Sequence, residues 1–90
     1  MLERKFKITS SQGLHARPAT HLVRLANDFD CDIKITLDKT TVDFKSIMGV
    51  MSLGAYQGEI IKITCYGSEE VEAMDALSYE FFELALGKEI

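Results

Sequence analysis

The segment Gly13-Leu14-His15-Ala16-Arg17-Pro18-Ala19 carries the side chains best suited to chemistry. The His15 imidazole can act as a nucleophile, and Arg17 offers a planar fork of N–H donors that matches phosphate oxygens. Pro18 fits a helix only in its first turn, where a missing N–H costs nothing. A glycine-containing turn must therefore run into a helix start here, with His15 at or just before the first helical residue. Free backbone amides and the positive end of the helix dipole favour an anion at such a place. The amides of Ala16 and Arg17, with the Arg17 side chain, would cradle a phosphoryl group transferred to His15. A histidine standing alone would read as an exposed loop or capping residue; Arg17 and Pro18 at fixed offsets shift the balance.

A second segment draws attention by what it lacks. Ser46 to Gly58 holds no charged residue in a chain that is 27% charged. Ser46 suits the N-cap of a short helix carrying Ile47, Met48, Val50, Met51 and Leu53, which Gly54 would end. About two helical turns cannot bury all five apolar side chains. Ile47 and Met48, with Met51, are the expected docking patch, rimmed by Thr20 and Arg24 of the first helix. Other signals carry less. Gly49 and Gly54 have the spacing of a P-loop but lack the following Lys-Ser/Thr. Glu69, Glu70, Glu72 and Asp75 read as a solvated helix start. Cys31 and Cys65 have no CxxC partner or metal-ligand spacing and are expected as free, buried or half-buried thiols.

The elements that position these residues follow from patterning. Ninety residues, 47% of them hydrophobic, suffice for one domain spanning 1–90. The start Met1-Leu2-Glu3-Arg4-Lys5-Phe6-Lys7 is charged where a secretion signal needs an apolar run, and no stretch approaches the ~20 apolar residues that span a bilayer. A cytoplasmic protein is expected. The net charge of −4 argues against nucleic-acid binding. Its distribution is uneven: residues 1–27 hold five Lys/Arg and one acid, whereas residues 68–90 hold one and seven.

Leu2 to Ile8 alternates with period two and predicts a strand whose inward set is Leu2, Phe6 and Ile8. Ala16, Ala19, Leu22, Val23, Ala26 and Phe29 recur at helical spacing. Asp32 to Leu37 and Thr40 to Phe44 predict two further strands, joined at Asp38-Lys39 by a longer or bulged loop, because a two-residue turn would force positive φ without glycine. Glu59 to Tyr66 predicts the fourth strand, with Ile61, Ile63 and Cys65 inward. Ser68 is the expected cap of a long helix with a buried stripe of Val71, Met74, Leu77 or Ser78, Phe81, and Leu84 or Ala85. Tyr79, Phe82 and Leu86 form a second stripe that would either cover the sheet's edge or mark a weak self-association surface. The order βαββαβα reads as an α+β sandwich of one sheet and one helical layer.

The run Gly13 to Ala19, taken together with Lys45-Ser46-Ile47-Met48-Gly49-Val50-Met51-Ser52-Leu53-Gly54, resembles the HPr phosphocarrier family of the bacterial sugar phosphotransferase system over nearly the whole chain. The resemblance implies an open-faced sandwich, with a four-stranded antiparallel sheet covered on one face by three helices. It implies that His15 accepts a phosphoryl group on Nδ1 from enzyme I, with phosphoenolpyruvate as ultimate donor. His15 would then pass the group to enzyme IIA domains, with Arg17 helping to hold it. Similarity to HPr proteins of low-GC Gram-positive bacteria implies that Ser46 is phosphorylated by an HPr kinase/phosphorylase. That form would be a poor enzyme I substrate and a corepressor for a CcpA-type regulator in carbon catabolite repression. No cofactor or metal is implied, and the chain would be a monomeric carrier more than a self-sufficient enzyme. The alternative is a Crh-like corepressor module acting through Ser46 without sugar transport; Crh-like proteins lack the histidine found here as His15. His21 stands where relatives often carry an apolar residue and is a second titratable group near the site, to which the sequence assigns no role. The sequence departs from the family in lacking a glycine at Asp38-Lys39-Thr40, at Tyr56-Gln57, and in the apolar Phe81 to Leu84.

Overall fold

Charged and apolar residues alternate along Leu2–Ile8, which forms strand β1 with Phe6 and Ile8 buried. Helix α1 (Ala16–Ala26), strands β2 (Asp32–Leu37) and β3 (Thr40–Asp43), helix α2 (Ile47–Leu53), strand β4 (Ile60–Tyr66), helix α3 (Glu70–Glu83) and strand β5 (Gly87–Glu89) follow in a computed structural model that describes residues 1–90. The five strands make one antiparallel sheet in the order β3-β2-β4-β1-β5. Every second residue of the three central strands points into the core: Phe6 and Ile8 from β1, Ile33, Ile35 and Leu37 from β2, Ile61, Ile63 and Cys65 from β4. The helices cover that face with Ala19, Leu22 and Val23, with Val50, and with Met74, Leu77 and Phe81. Each fully buried large side chain contributes about 1.5–3 kcal/mol. Phe6 stacks on Phe81 with ring centroids 4.9 Å apart, which fixes α3 over β1. No helix is long and apolar enough to cross a membrane.

The sheet has five strands where the sequence predicts four. Gly87-Lys88-Glu89 has no strand propensity of its own. Ala85 reverses the chain after α3 at φ 52, and Leu86, only 2% exposed, anchors it. The Leu86 carbonyl then accepts from the amides of Thr9 (2.9 Å) and Ser10 (3.2 Å). A Cβ at residue 87 would collide with the Lys7 carbonyl, so only glycine lets this strand close onto β1.

Smaller expectations are also corrected. Leu37 pairs directly with Thr40, so Asp38-Lys39 is a tight two-residue turn and not a longer loop. Only Asp38 takes positive φ, at 54°, and aspartate tolerates that region better than most residues. Ser68 does not cap α3. The N-cap is Glu69 without a side-chain bond, while the Ser68 hydroxyl donates to the Asp30 carbonyl at 3.1 Å, stapling this turn to the start of β2. The buried stripe of α3 is Ala73, Met74, Leu77 and Phe81, with Val71, Leu84 and Ala85 outside it. Small Ala73 lets the helix settle on the sheet along that edge, and α3 ends before Leu84. Of the second stripe only Leu86 is buried, while Tyr79 and Phe82 are exposed. On α1, Ala16 is exposed and Phe29 half-buried, because the first lies at the open helix start and the second beyond its end.

Candidate functional site

The turn from β1 into α1 depends on Gly13, at φ 65. A Cβ there would lie 2.5 Å from the Ala55 carbonyl oxygen, an impossible approach for any other residue. That same carbonyl accepts from the Leu14 amide at 2.9 Å. The loop carrying the histidine is thus pinned to the exit of α2, a link that no sequence pattern announces because Ala55 carries no polar side chain.

His15 is the N-cap of α1, with extended backbone at φ −90, ψ −178, and its side chain makes no capping hydrogen bond. Its carbonyl accepts the first helical bond from Ala19 at 3.0 Å. Pro18, one of the buried residues of α1, has no N–H to satisfy. The amides of Ala16 and Arg17 precede any intrahelical acceptor and have no other protein partner, so two donors stay open beside the imidazole.

His15, Arg17, Pro18 and His21 line one depression of about 330 Å³ whose far wall is Ser10, Leu84 and Leu86. Ala16, Arg17, Thr20, His21 and Arg24 line an adjoining one of about 470 Å³ that contains no carboxylate. Arg17 and His21 belong to both. His21 Nε2 lies 3.0 Å from Oε2 of Glu80, so α3 supplies an acidic partner that sequence spacing could not reveal. The Thr20 hydroxyl is occupied, donating to the Ala16 carbonyl at 2.8 Å. No group of three or more His, Cys, Asp or Glu is placed to hold a metal ion.

Ser46 caps α2: its hydroxyl oxygen accepts from the Gly49 amide at 3.0 Å. Its neighbour Lys45 is tied to the other end of α1, donating from Nζ to the Phe29 carbonyl at 2.8 Å and accepting from the Asn27 amide group at 3.1 Å. The entry of α2 therefore meets the end of α1, and its exit meets the start of α1 through Ala55. Ser46 and His15 stand at opposite ends of α1, about 16 Å of helix apart. On α2, Met48 is 81% exposed, Ile47 41% and Met51 38%, while Val50 is buried. The structure joins His15 with Arg17, and Arg17 with Thr20 and Arg24, but the apolar residues of α2 line neither depression. Cys31 and Cys65 are free and buried, and burial pushes the Cys65 thiol up to about 11.

Comparison with known proteins bears on the family and the fold. The family model for the PTS HPr component phosphorylation site matches residues 2–83. The histidine-containing phosphocarrier protein of Mycoplasma superposes with a TM-score of 0.94 at 32% identity, covering 96% of this chain and 98% of that one. The phosphocarrier protein HPr of Bacillus anthracis is 43% identical over 88% of this chain and 94% of its own, with a TM-score of 0.81. Crh of Bacillus subtilis, a catabolite repression protein that forms a swapped dimer, is 36% identical over 92% and 95%, with a TM-score of 0.73. The chain belongs to the HPr phosphocarrier family of the phosphotransferase system.

Proposed function

We propose that this protein carries a phosphoryl group on Nδ1 of His15 between enzyme I and enzyme IIA domains in the cytoplasm. The neutral ring attacks phosphorus on the donor. The bond from phosphorus to the donor atom breaks as the bond to Nδ1 forms, and Nε2 keeps its proton. The open amides of Ala16 and Arg17 and the Arg17 guanidinium hold the equatorial oxygens. Transfer onward is the same exchange with the partner's acceptor in place of the donor. The observation that carries this reading is an imidazole free of capping duty, set beside two unpartnered amides and an arginine. Incubation with enzyme I and phosphoenolpyruvate tests it. One acid-labile phosphoryl group per chain is expected, and its absence would refute the role.

We further propose that Ser46 is the target of an ATP-dependent HPr kinase/phosphorylase. A phosphate there changes the charge beside the exposed Ile47 and Met48 without touching His15, so it would act on docking, weakening enzyme I and favouring a CcpA-type regulator. Phosphorylation of the wild type and not of Ser46→Ala by that kinase is the expected result. The likeness to Crh supports a second reading, a corepressor module acting through Ser46 alone. The presence of His15 weighs against it, and phosphoryl transfer to a IIA domain discriminates the two.

A further inference from the structure

The open face of the sheet, away from the helices, carries five of the chain's seven lysines: Lys5, Lys7, Lys34, Lys62 and Lys88. Their placement is unfavourable for an isolated protein. Lys5 lies directly opposite Lys62 across β1 and β4, and Lys7 directly opposite Lys88 across β1 and β5. Opposed side chains on one sheet face stand about 5 Å apart at Cβ, where like charges destabilise the pairing. Lys62 is relieved by Glu3 at 3.7 Å, whereas Lys5, Lys7 and Lys88 make no ion pair. A lysine on β5 can protect an exposed sheet edge from mispairing. That explanation does not reach Lys5 and Lys62, which sit on interior strands. Between the two lysine pairs Ile60 is 49% exposed, opposite Lys7. Lys5, Lys62, Ile60 and Thr36 line a hollow of about 310 Å³, with Asp38 at its rim.

We propose that this lysine corner docks an acidic protein segment bearing one apolar side chain, which would cover Ile60 while its carboxylates neutralise the opposed lysines. Charge complementarity selects the partner's sign, and the exposed isoleucine selects a peptide over a simple polyanion. The corner is only three strands wide. The rest of the face carries Glu3, Asp32 and Asp43, the last directly opposite Lys34, so a planar anionic membrane pressed against it would meet carboxylates as well, whereas a narrow segment avoids Asp32 and Asp43. The site is separate from His15 and does not depend on phosphoryl transfer.

The test is an NMR titration of the ¹⁵N-labelled protein with a short synthetic peptide of alternating glutamate and glycine with one central leucine. Shifts centred on Lys5, Lys7, Ile60, Lys62 and Lys88, weakening with salt, are expected. The Lys5→Gln/Lys62→Gln variant should bind about tenfold more weakly, and Lys39→Gln unchanged. Lys5→Gln alone, which leaves the Lys62–Glu3 pair intact, should raise Tm at low salt and lose that gain at high salt. No peptide response, shifts centred on Arg17 and Arg24, binding only to phosphatidylglycerol vesicles, or salt-sensitive self-association of the protein alone would each overturn the proposal.

Discussion

The His15 side chain makes no capping hydrogen bond, so the fold does not need it. Its removal should change stability by no more than about 0.5 kcal/mol, as for an ordinary surface position. Arg17 is exposed and forms no ion pair, which leaves its donor fork free for a ligand. Arg17→Ala is expected to slow phosphorylation by enzyme I about 10- to 150-fold, the worth of one charge-assisted hydrogen bond, with Tm unchanged. Rapid-quench kinetics would check it. His15 and Arg17 were legible in sequence because Pro18 fixes where the helix starts, and that fixes which residues flank its open amides. Glu80 and Ala55 were not. One reaches His21 from a helix far along the chain, and the other acts only through its carbonyl.

At the scale of elements, α2 rests on one side-chain cap. Ser46→Ala should cost about 1 kcal/mol, lowering Tm by about 4–8 °C in a domain of this size. Ser46→Asp, which still offers an acceptor to the Gly49 amide, should keep most of that stability. Thermal denaturation followed by circular dichroism separates the two. Gly13→Ala is the severer change, since positive φ and the Ala55 carbonyl both exclude a Cβ. A loss of at least about 1–2 kcal/mol is expected, together with slower transfer because the His15 loop must move. The predicted strands and helices followed from period-two and helical spacing, as Ile33, Ile35 and Leu37 or Leu22, Val23 and Ala26 illustrate. The fifth strand was illegible because Gly87-Lys88-Glu89 is held by β1 and by Leu86, not by its own pattern. The turn at Asp38 defeated a rule about glycine because one aspartate, not two residues, bears the positive φ.

Across the whole molecule, charge is sorted. The acidic C-terminal quarter folds mostly into α3, five of the seven lysines gather on the open sheet face, and Arg17 and Arg24 border a depression without carboxylates. Glu70 joins two parts of the chain: its carboxylate accepts from the Gly67 amide at 3.0 Å and lies 3.0 Å from the N-terminal ammonium. The Gly67 amide first, and then the ammonium, hold its carboxyl below the ordinary value. Its stabilising contribution is therefore complete above the unfolded-state pKa of about 4.3 and lost as pH falls through the lower folded value. Glu70→Gln should be less stable than wild type near about pH 7, and the difference should close as pH falls below the ordinary glutamate value of about 4.3. Tm measured across that range checks it. The chain contains two histidines, both lining the same depression, and only His15 stands at the helix start beside open amides. The decisive measurement is the site of the acid-labile phosphoryl group after reaction with enzyme I and phosphoenolpyruvate, read by ³¹P NMR on wild type, His15→Ala and His21→Ala. A single phosphoramidate signal that persists in His21→Ala and vanishes in a folded His15→Ala is expected; a signal that survives in His15→Ala would contradict the assignment.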